Sequence, residues 1–327
     1  MDETTRIALL ARVLGDGAPA AGVEVGIGDD AAVLEAPRPG SRLVWTIDEQ
    51  VEGVHFRREL LAWRDVGWRS FMAAASDVAA MGASPWCALC AMVLPGDVDG
   101  AVLREIALGQ REAADAVRAP VVGGNLSRGP AVSLATTLLG TCERAVERRG
   151  AEPGDGVWLA GRVGLAAAGF AALARAREGG REARGAQAAT DAMPPALCEA
   201  VDAWRRPRAL VAEGRAMGAV ARAAVDVSDG LARDAGHLAE ASGVRVVLDE
   251  SALRSDAALI AAAGALGADP LELALHGGED YALVAASRAP IPGFRRIGEV
   301  REGRGLALRD GAGERSIEPR GFDHFAT

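Results

Sequence analysis

The chain has 327 residues, half of them hydrophobic and only 4% aromatic, so it can fill a full but mostly aliphatic core and suits two domains sharing a cleft. A net charge of −9 argues against a nucleic-acid partner or an anionic membrane surface, where phosphate contact dominates binding. All 36 basic residues are arginine, which removes the Walker-A lysine, the protein-kinase strand lysine and every lysine Schiff base.

The chain opens on Met1-Asp2-Glu3, acidic where a signal peptide carries bases, and no apolar stretch reaches the ~20 residues of a membrane span. A cytoplasmic protein is expected. Residues 4–14 read as a helix. Gly26-Ile27-Gly28-Asp29-Asp30 is then a glycine-flexed turn with two adjacent carboxylates, which repel each other unless a cation sits between them. Mg²⁺ takes oxygen ligands of this kind together with substrate phosphates. Short strands are expected over 31–34 and 43–47, with Thr46-Ile47-Asp48 ending the second and Glu52-Gly53-Val54-His55-Phe56 after a short loop. An alanine-rich helix runs from about Trp63 to Met81 and stops at Gly82.

The run 86–94 reads as a buried strand, in which residues three apart face opposite sides. Its Cys87 and Cys90 are therefore read as buried thiols rather than a redox or zinc pair. Residues 101–117 carry helical spacing, Gly123-Gly124-Asn125 reads as a loop with Arg128 soon after, and 131–139 return as a strand. A domain boundary is expected where Glu152-Pro153-Gly154-Asp155 breaks the pattern, dividing the chain into 1–150 and 151–327. The second half restarts with strand 157–160, a Gly161-x-x-Gly164 turn and a helix of small residues. Residues 177–195, rich in glycine, alanine and arginine, read as an exposed loop or linker. Strand 224–227 opens into Ser228-Asp229-Gly230 and a helix to about 241; strand 244–248, helices up to Gly277 and short strands follow. The layout is α/β or α+β.

Asp77 resists a purely local account. Its neighbours at helical spacing are Ala73, Ala74, Ala80 and Met81, so it is exposed, paired across the fold, or bound to metal. In Asp226-Val227-Ser228-Asp229-Gly230, helix capping explains one polar residue but not three in four positions. Asp226 and Asp229 are placed to approach one metal cluster, and Ser228 to donate to a phosphate. His55, His276 and His324 lie beside glycine and acidic residues, which favours a ligand-facing role. His276-Gly277-Gly278-Glu279-Asp280-Tyr281 holds the only tyrosine and reads equally as a site or as a capped loop. Gly123-Gly124-Asn125 offers a backbone phosphate cradle, and Arg148 and Arg149 are candidates for phosphate charge. Turn-borne aspartates in both halves, glycine loops and no lysine together point to metal-dependent phosphoryl chemistry.

Gly26–Asp30, Glu52–Phe56, Ser76–Ala83, Asp226–Gly230, Gly277–Tyr281 and Gly321-Phe322-Asp323-His324-Phe325 resemble, in that order, the motifs of the thiamine-monophosphate kinase family, within the aminoimidazole ribonucleotide synthetase superfamily. The resemblance implies two α/β domains, with an N-terminal sheet domain that pairs in a homodimer and a C-terminal α/β domain whose tail contacts substrate. It implies transfer of phosphate from ATP to thiamine monophosphate. By motif position, Asp30, Thr46, Ile47, Asp48, Asp77, Asn125, Asp226 and Asp229 would hold several Mg²⁺ ions; Gly124, Asn125, Arg148 and Ser228 would hold ATP; and His55, Glu279 and Phe322 would contact thiamine monophosphate. Two positions depart from the family pattern. Asn125 replaces an aspartate, keeping a carbonyl oxygen without the charge, and Ile47 replaces a threonine, leaving its backbone oxygen. A different acceptor within the superfamily, or nucleotide binding without transfer, are the competing readings.

Overall fold

The computed structural model describes residues 2–15, 21–27, 31–178 and 193–322. Asp29, Asp30, His324 and most of the expected 177–195 loop lie outside the described residues. The chain divides into two units, Met1–Val78 with Ala83–Glu143, and Ala79–Gly82 with Arg144–Thr327. The division comes before the Glu152–Asp155 interruption because Val146 N donates to Met81 O (3.0 Å) and Ala224 N to Glu147 O (2.9 Å), tying this stretch into the second unit.

The first unit contains α1 (Glu3–Gly15), a ribbon of β1 (Val23–Val25) and β2 (Val33–Leu34), then β3 (Arg42–Val51), α2 (Trp63–Ala80), β4 (Ser84–Leu94), α3 (Gly100–Val117), β5 (Val121–Arg128) and β6 (Ser133–Cys142). Its four-stranded sheet runs β3-β6-β4-β5, with β4 and β5 parallel and the other pairs antiparallel. β3 continues to Val51, past the expected end at Asp48, because Asp48 and Gln50 alternate with exposed residues and share a face with Val44 and Thr46. Thr46 Oγ1 donates to Asp77 Oδ2 and Gln110 Nε2 lies 2.9 Å from Cys90 Sγ, so α2 and α3 cover this inner face. The two helices meet backbone to backbone: a Cβ on Gly67 would fall 2.0 Å from Ile106 O, and one on Gly109 1.8 Å from Arg64 O.

Gly123-Gly124-Asn125 lies inside β5 rather than in a loop. The glycine serves close strand approach, since a Cβ on Gly124 would meet Cys90 O at 1.9 Å. Cys87 and Cys90 are buried on opposite faces of β4, and burial pushes the Cys87 thiol up to about 11 and raises that of Cys90, which leaves both unreactive. All four cysteines are free.

The second unit contains β7 (Gly156–Ala160), α4 (Leu165–Glu178), α5 (Pro195–Arg205), α6 (Val211–Gly218), β8 (Ala223–Val227), α7 (Leu231–Ser242), β9 (Arg245–Asp249), α8 (Glu250–Leu253), α9 (Ala257–Leu266), α10 (Pro270–His276) and β10 to β13 (Ala282–Ser287, Arg295–Arg301, Gly305–Asp310, Gly313–Ile317). The seven-stranded sheet has the order β13-β12-β9-β11-β7-β10-β8 and is antiparallel except between β12 and β9. Val225 and Val227 of β8 bury one face against Leu231 and Leu238 of α7 and Leu271 of α10, whereas Ala224 joins Met217 and Val146 on the other. Each such buried leucine or valine contributes ~1.5–3 kcal/mol of transfer free energy. Among the described residues no single helix is long and apolar enough to cross a membrane.

Candidate active site

Within the first unit, strand alternation sorts the candidate residues by face. Thr46 and Asp48 lie on the inner face, where Asp77 on α2 accepts the Thr46 hydroxyl at 2.5 Å. Asp77 is thus paired across the fold, one of the three alternatives its helix position allowed. Thr46 O in turn accepts from Thr137 Oγ1 at 2.7 Å. Asp48 pairs in register with Thr136, Thr136 with Cys90, and Cys90 with Gly124, so Gly124 shares the inner face. Ile47 and Asn125 do not. Ile47 is 69% exposed on the outer face, and Asn125 pairs with exposed Ala91 and donates Nδ2 to Ser127 Oγ (2.9 Å). His55 sits in a closed turn, with its Nδ1 accepting the Val51 N–H at 3.0 Å, while Glu52 is held by Arg58 and by Val132 N at 3.0 Å.

Within the second unit, three separate sequence segments converge. Asp226 lies one residue before the end of β8 and is 5% exposed. The turn Ser228-Asp229-Gly230 leads into α7, whose N-cap is Gly230 (φ +118°) with no side-chain capping bond, so neither Ser228 nor Asp229 is a cap. Asp234 takes up that work from the first turn of α7, its Oδ2 accepting Asp229 N at 3.1 Å. Burial, reinforced by the neighbouring Asp229, pushes the Asp234 carboxyl up to about 7. Glu279 N donates to Ser228 O (2.7 Å) and Phe322 N to Asp229 O (3.0 Å), bringing the Gly277–Tyr281 segment and the C-terminal tail onto the same turn. Close approach requires the glycines: a Cβ on Gly278 would lie 2.6 Å from Ser228 O, and one on Gly321 2.5 Å from Asp229 O.

Arginines border this cluster. Arg233 Nε lies 3.6 Å from Asp229 Oδ2, and its guanidinium also donates to Phe322 O. Arg148 O accepts from Ser242 Oγ at 3.2 Å, and its charge bears on Asp234 and His237, both on α7. Burial first, then Arg148 and Arg233, lowers the His237 pKa. Arg149 is engaged by Glu147 at 2.6 Å, and His276 Nδ1 lies 3.1 Å from Arg320 O. The structure therefore gathers Asp226, Ser228, Asp229, Arg148, Glu279 and Phe322. Sequence reasoning missed Asp234, His237 and Arg233, whereas Asp280 lies in the segment that reads equally as a site or as a capped loop. Asp234 carried one signal, a carboxylate between Leu231 and Ala235 on the buried face of α7.

Residues 28–142 match the family model described as AIR synthase related protein, N-terminal domain. The thiamine-monophosphate kinase of Aquifex aeolicus (strain VF5) is 33% identical over 303 residues, covering 91% of this chain and 92% of that protein. The chain belongs to the thiamine-monophosphate kinase family. This kinase-family chain is also similar to the solved structure of AaThiL complexed with AMPPCP and TMP, with a TM-score of 0.79 and 30% identity over 99% of this chain and 97% of that one. The thiamine-monophosphate kinase from Stenotrophomonas maltophilia K279a gives a TM-score of 0.78 and 32% identity, covering 92% and 95% of the two chains. The two-unit α/β architecture is that of the aminoimidazole ribonucleotide synthetase-like superfamily.

The donor chemistry fits a hard cation. Among the described residues no group of three or more histidine, cysteine or acidic side chains gathers to hold a metal. Each unit offers oxygen donors of its own, Thr46, Asp48 and Asp77 in the first and Asp226 and Asp229 in the second. Carboxylate and hydroxyl oxygens are the donors that Mg²⁺ takes, alongside substrate phosphates and water.

Proposed function

We propose that this chain transfers the terminal phosphoryl group of ATP to thiamine monophosphate, giving thiamine diphosphate and ADP. The observation that carries the reading is the likeness, over 99% of the chain, to AaThiL complexed with AMPPCP and TMP, a complex that holds an ATP analogue together with TMP. The acceptor is itself a phosphate monoester, with a second pKa of about 6, so its oxygen is already a nucleophile at neutral pH. No side chain is needed as a general base, and catalysis reduces to positioning and charge neutralisation.

Asp48, Asp77, Asp226 and Asp229, with the Thr46 hydroxyl, are the residues that would hold Mg²⁺, which when bound neutralises charge on the phosphates. Asp30 belongs to the same set by motif position. Ser228 and Arg148 would bind the nucleotide phosphates, and Gly124 belongs to the nucleotide-binding set by motif position. Glu279 and His55 would contact thiamine monophosphate, with Phe322, 47% exposed, offering a ring face to the cationic thiazolium.

The outer face of the first unit's sheet supports a homodimer. Leu43, Trp45 and Ile47 of β3 are 53%, 74% and 69% exposed on one face with Leu89 of β4, an apolar surface of the kind that marks an interface. Sedimentation of the protein and of Trp45→Glu tests it; a wild-type monomer would refute it. Four free thiols accord with the reducing cytoplasm. For the reaction, purified protein is incubated with ATP, Mg²⁺ and thiamine monophosphate, and thiamine diphosphate is measured. ATP use only with another acceptor, or saturable binding without turnover, would overturn the assignment.

A further inference from the structure

The segment Gly277–Tyr281 is held by its backbone on both sides of one residue. Glu279 N donates to Ser228 O at 2.7 Å and Tyr281 N to Val227 O at 2.8 Å. Both residues have positive φ, +67° and +50°. Only Arg118 shares this left-handed conformation among the described residues other than glycine, and there it is a helix C-cap. Such backbone persists only where the surroundings over-determine it, and it clusters where a side chain must be held in one place.

Asp280, between the two, supplies that constraint. Its Oδ2 accepts Gly164 N at 2.6 Å and its Oδ1 accepts Ala166 N at 3.2 Å, so it caps the N-terminus of α4 from a loop more than a hundred residues away. Gly164 and Gly277 close the join: a Cβ on Gly277 would lie 2.5 Å from Leu273 O, and one on Gly164 2.7 Å from the same atom. A cap alone does not need left-handed residues on both sides, because any aspartate just before the helix can cap it. Here the carboxylate instead fixes the peptide that carries Glu279, whose Oε2 is buried.

We propose that Asp280 is a positioning residue: by capping α4 it locks the left-handed Glu279–Tyr281 backbone and so sets where the Glu279 carboxylate meets the substrate. This rests on the reading of Glu279 as a thiamine monophosphate contact. The test compares Asp280→Ala, Asp280→Asn, Glu279→Ala and the double variant Glu279→Ala/Asp280→Ala. It reads KM for thiamine monophosphate and for ATP, and amide hydrogen exchange across the Gly277–Tyr281 segment and the start of α4.

Asp280→Ala should raise KM for thiamine monophosphate on the order of tenfold, more than it raises KM for ATP, and speed exchange in both segments. Asp280→Asn keeps an acceptor oxygen and should recover part of the loss. In the Glu279→Ala background the second substitution should add little, since residues acting as one unit are not additive. Additive effects on KM, or unchanged exchange across Gly277–Tyr281, would overturn the proposal and leave Asp280 a simple cap. An unchanged KM in Glu279→Ala would overturn its substrate half, while exchange still decides the backbone lock. Absence of turnover in the unaltered protein would refute the proposed function separately.

Discussion

A single methyl group at position 278 tests how closely the two turns of the second unit are set. A Cβ there lies 2.6 Å from Ser228 O, 0.8 Å short of the 3.4 Å at which ordinary contact begins. The next obstacles, Asp229 C at 3.4 Å and Cα at 3.6 Å, are also main chain, so no side chain can swing aside. The backbone of Gly278 is not left-handed, so alanine there meets a clash and not a conformational penalty. Relief requires the Ser228-Asp229 turn to retreat by most of that overlap, which stretches the 2.7 Å Glu279 N···Ser228 O bond past a useful length. Gly278→Ala should therefore cost ~1–3 kcal/mol of stability, as overpacking does. It should lower kcat/KM roughly 10²-fold, because a shift of about 1 Å misplaces the reacting groups. Urea unfolding and steady-state kinetics with ATP and thiamine monophosphate measure both. Gly264→Ala is the control: α9 leaves open space around that position, so alanine should stabilise by ~0.5–1 kcal/mol with activity unchanged. Wild-type stability and activity in Gly278→Ala would refute the argument.

Asp77→Ala and Asp226→Ala should each lower turnover by ~10³-fold or more while the far-ultraviolet circular dichroism stays that of the wild type; near-normal activity would remove them from the metal-binding set. Phe322→Ala should raise KM for thiamine monophosphate and leave that for ATP little changed, whereas equal effects would indicate a loosened tail. Burial holds the Asp234 and Asp280 carboxyls up at about 7, above the 3.8 of an ordinary aspartate. Acids that bind their proton more tightly when folded stabilise the fold below pH ~4 and lose that contribution as pH rises through about 7. Urea midpoints should thus fall from about pH 5 to about pH 7.5, with a shallower slope in Asp234→Asn and in Asp280→Asn; curves parallel to wild type would refute the assignment.

What could be read from the sequence was what periodicity and residue chemistry report locally. The long helix bearing Asp77, the buried Cys87–Cys90 strand and the strand running into Ser228-Asp229-Gly230 have their burial written in their own apolar spacing. The errors came where a residue answers to a distant partner. Gly123-Gly124 looks like a turn because glycine favours turns, yet Gly124 is glycine because Cys90 O lies where a Cβ would be. A polar residue resembles a strand end, which sets the expected end of β3 at Asp48, although Asp48 and Gln50 share the inner face and the strand continues to Val51. The faces on which Ile47 and Asn125 fall follow from register, and a bulge beside Ala88 resets that of β5. No short-range pattern encodes such a reset.

The helix starts of the chain differ in a way that bears on where function lies. α3, α9 and α10 each begin after an aspartate that caps its own helix: Asp99 accepts from Ala101 and Val102 N, Asp256 from Ala258 and Leu259 N, and Asp269 from Leu271 N. These are the ordinary local solution to unpaired N–H groups. At the candidate site the chain uses another. α7 starts at a left-handed glycine with no side-chain cap although Ser228 and Asp229, two good capping residues, stand beside it, and the turn's Asp229 N–H is taken by Asp234 from within the helix. α4 is likewise capped from afar, by Asp280. In both places the backbone is satisfied by a carboxylate that is itself buried or part-buried, and the Ser228 and Asp229 side chains are spared from capping. A protein that only needed these helices to start would have used the local cap, as it does at α3, α9 and α10 and, through Asp2 Oδ1 accepting Thr5 N at 2.8 Å, at α1. Moving the burden onto Asp234 and Asp280 is the arrangement expected if Ser228, Asp229 and Glu279 are to present their oxygens to a ligand.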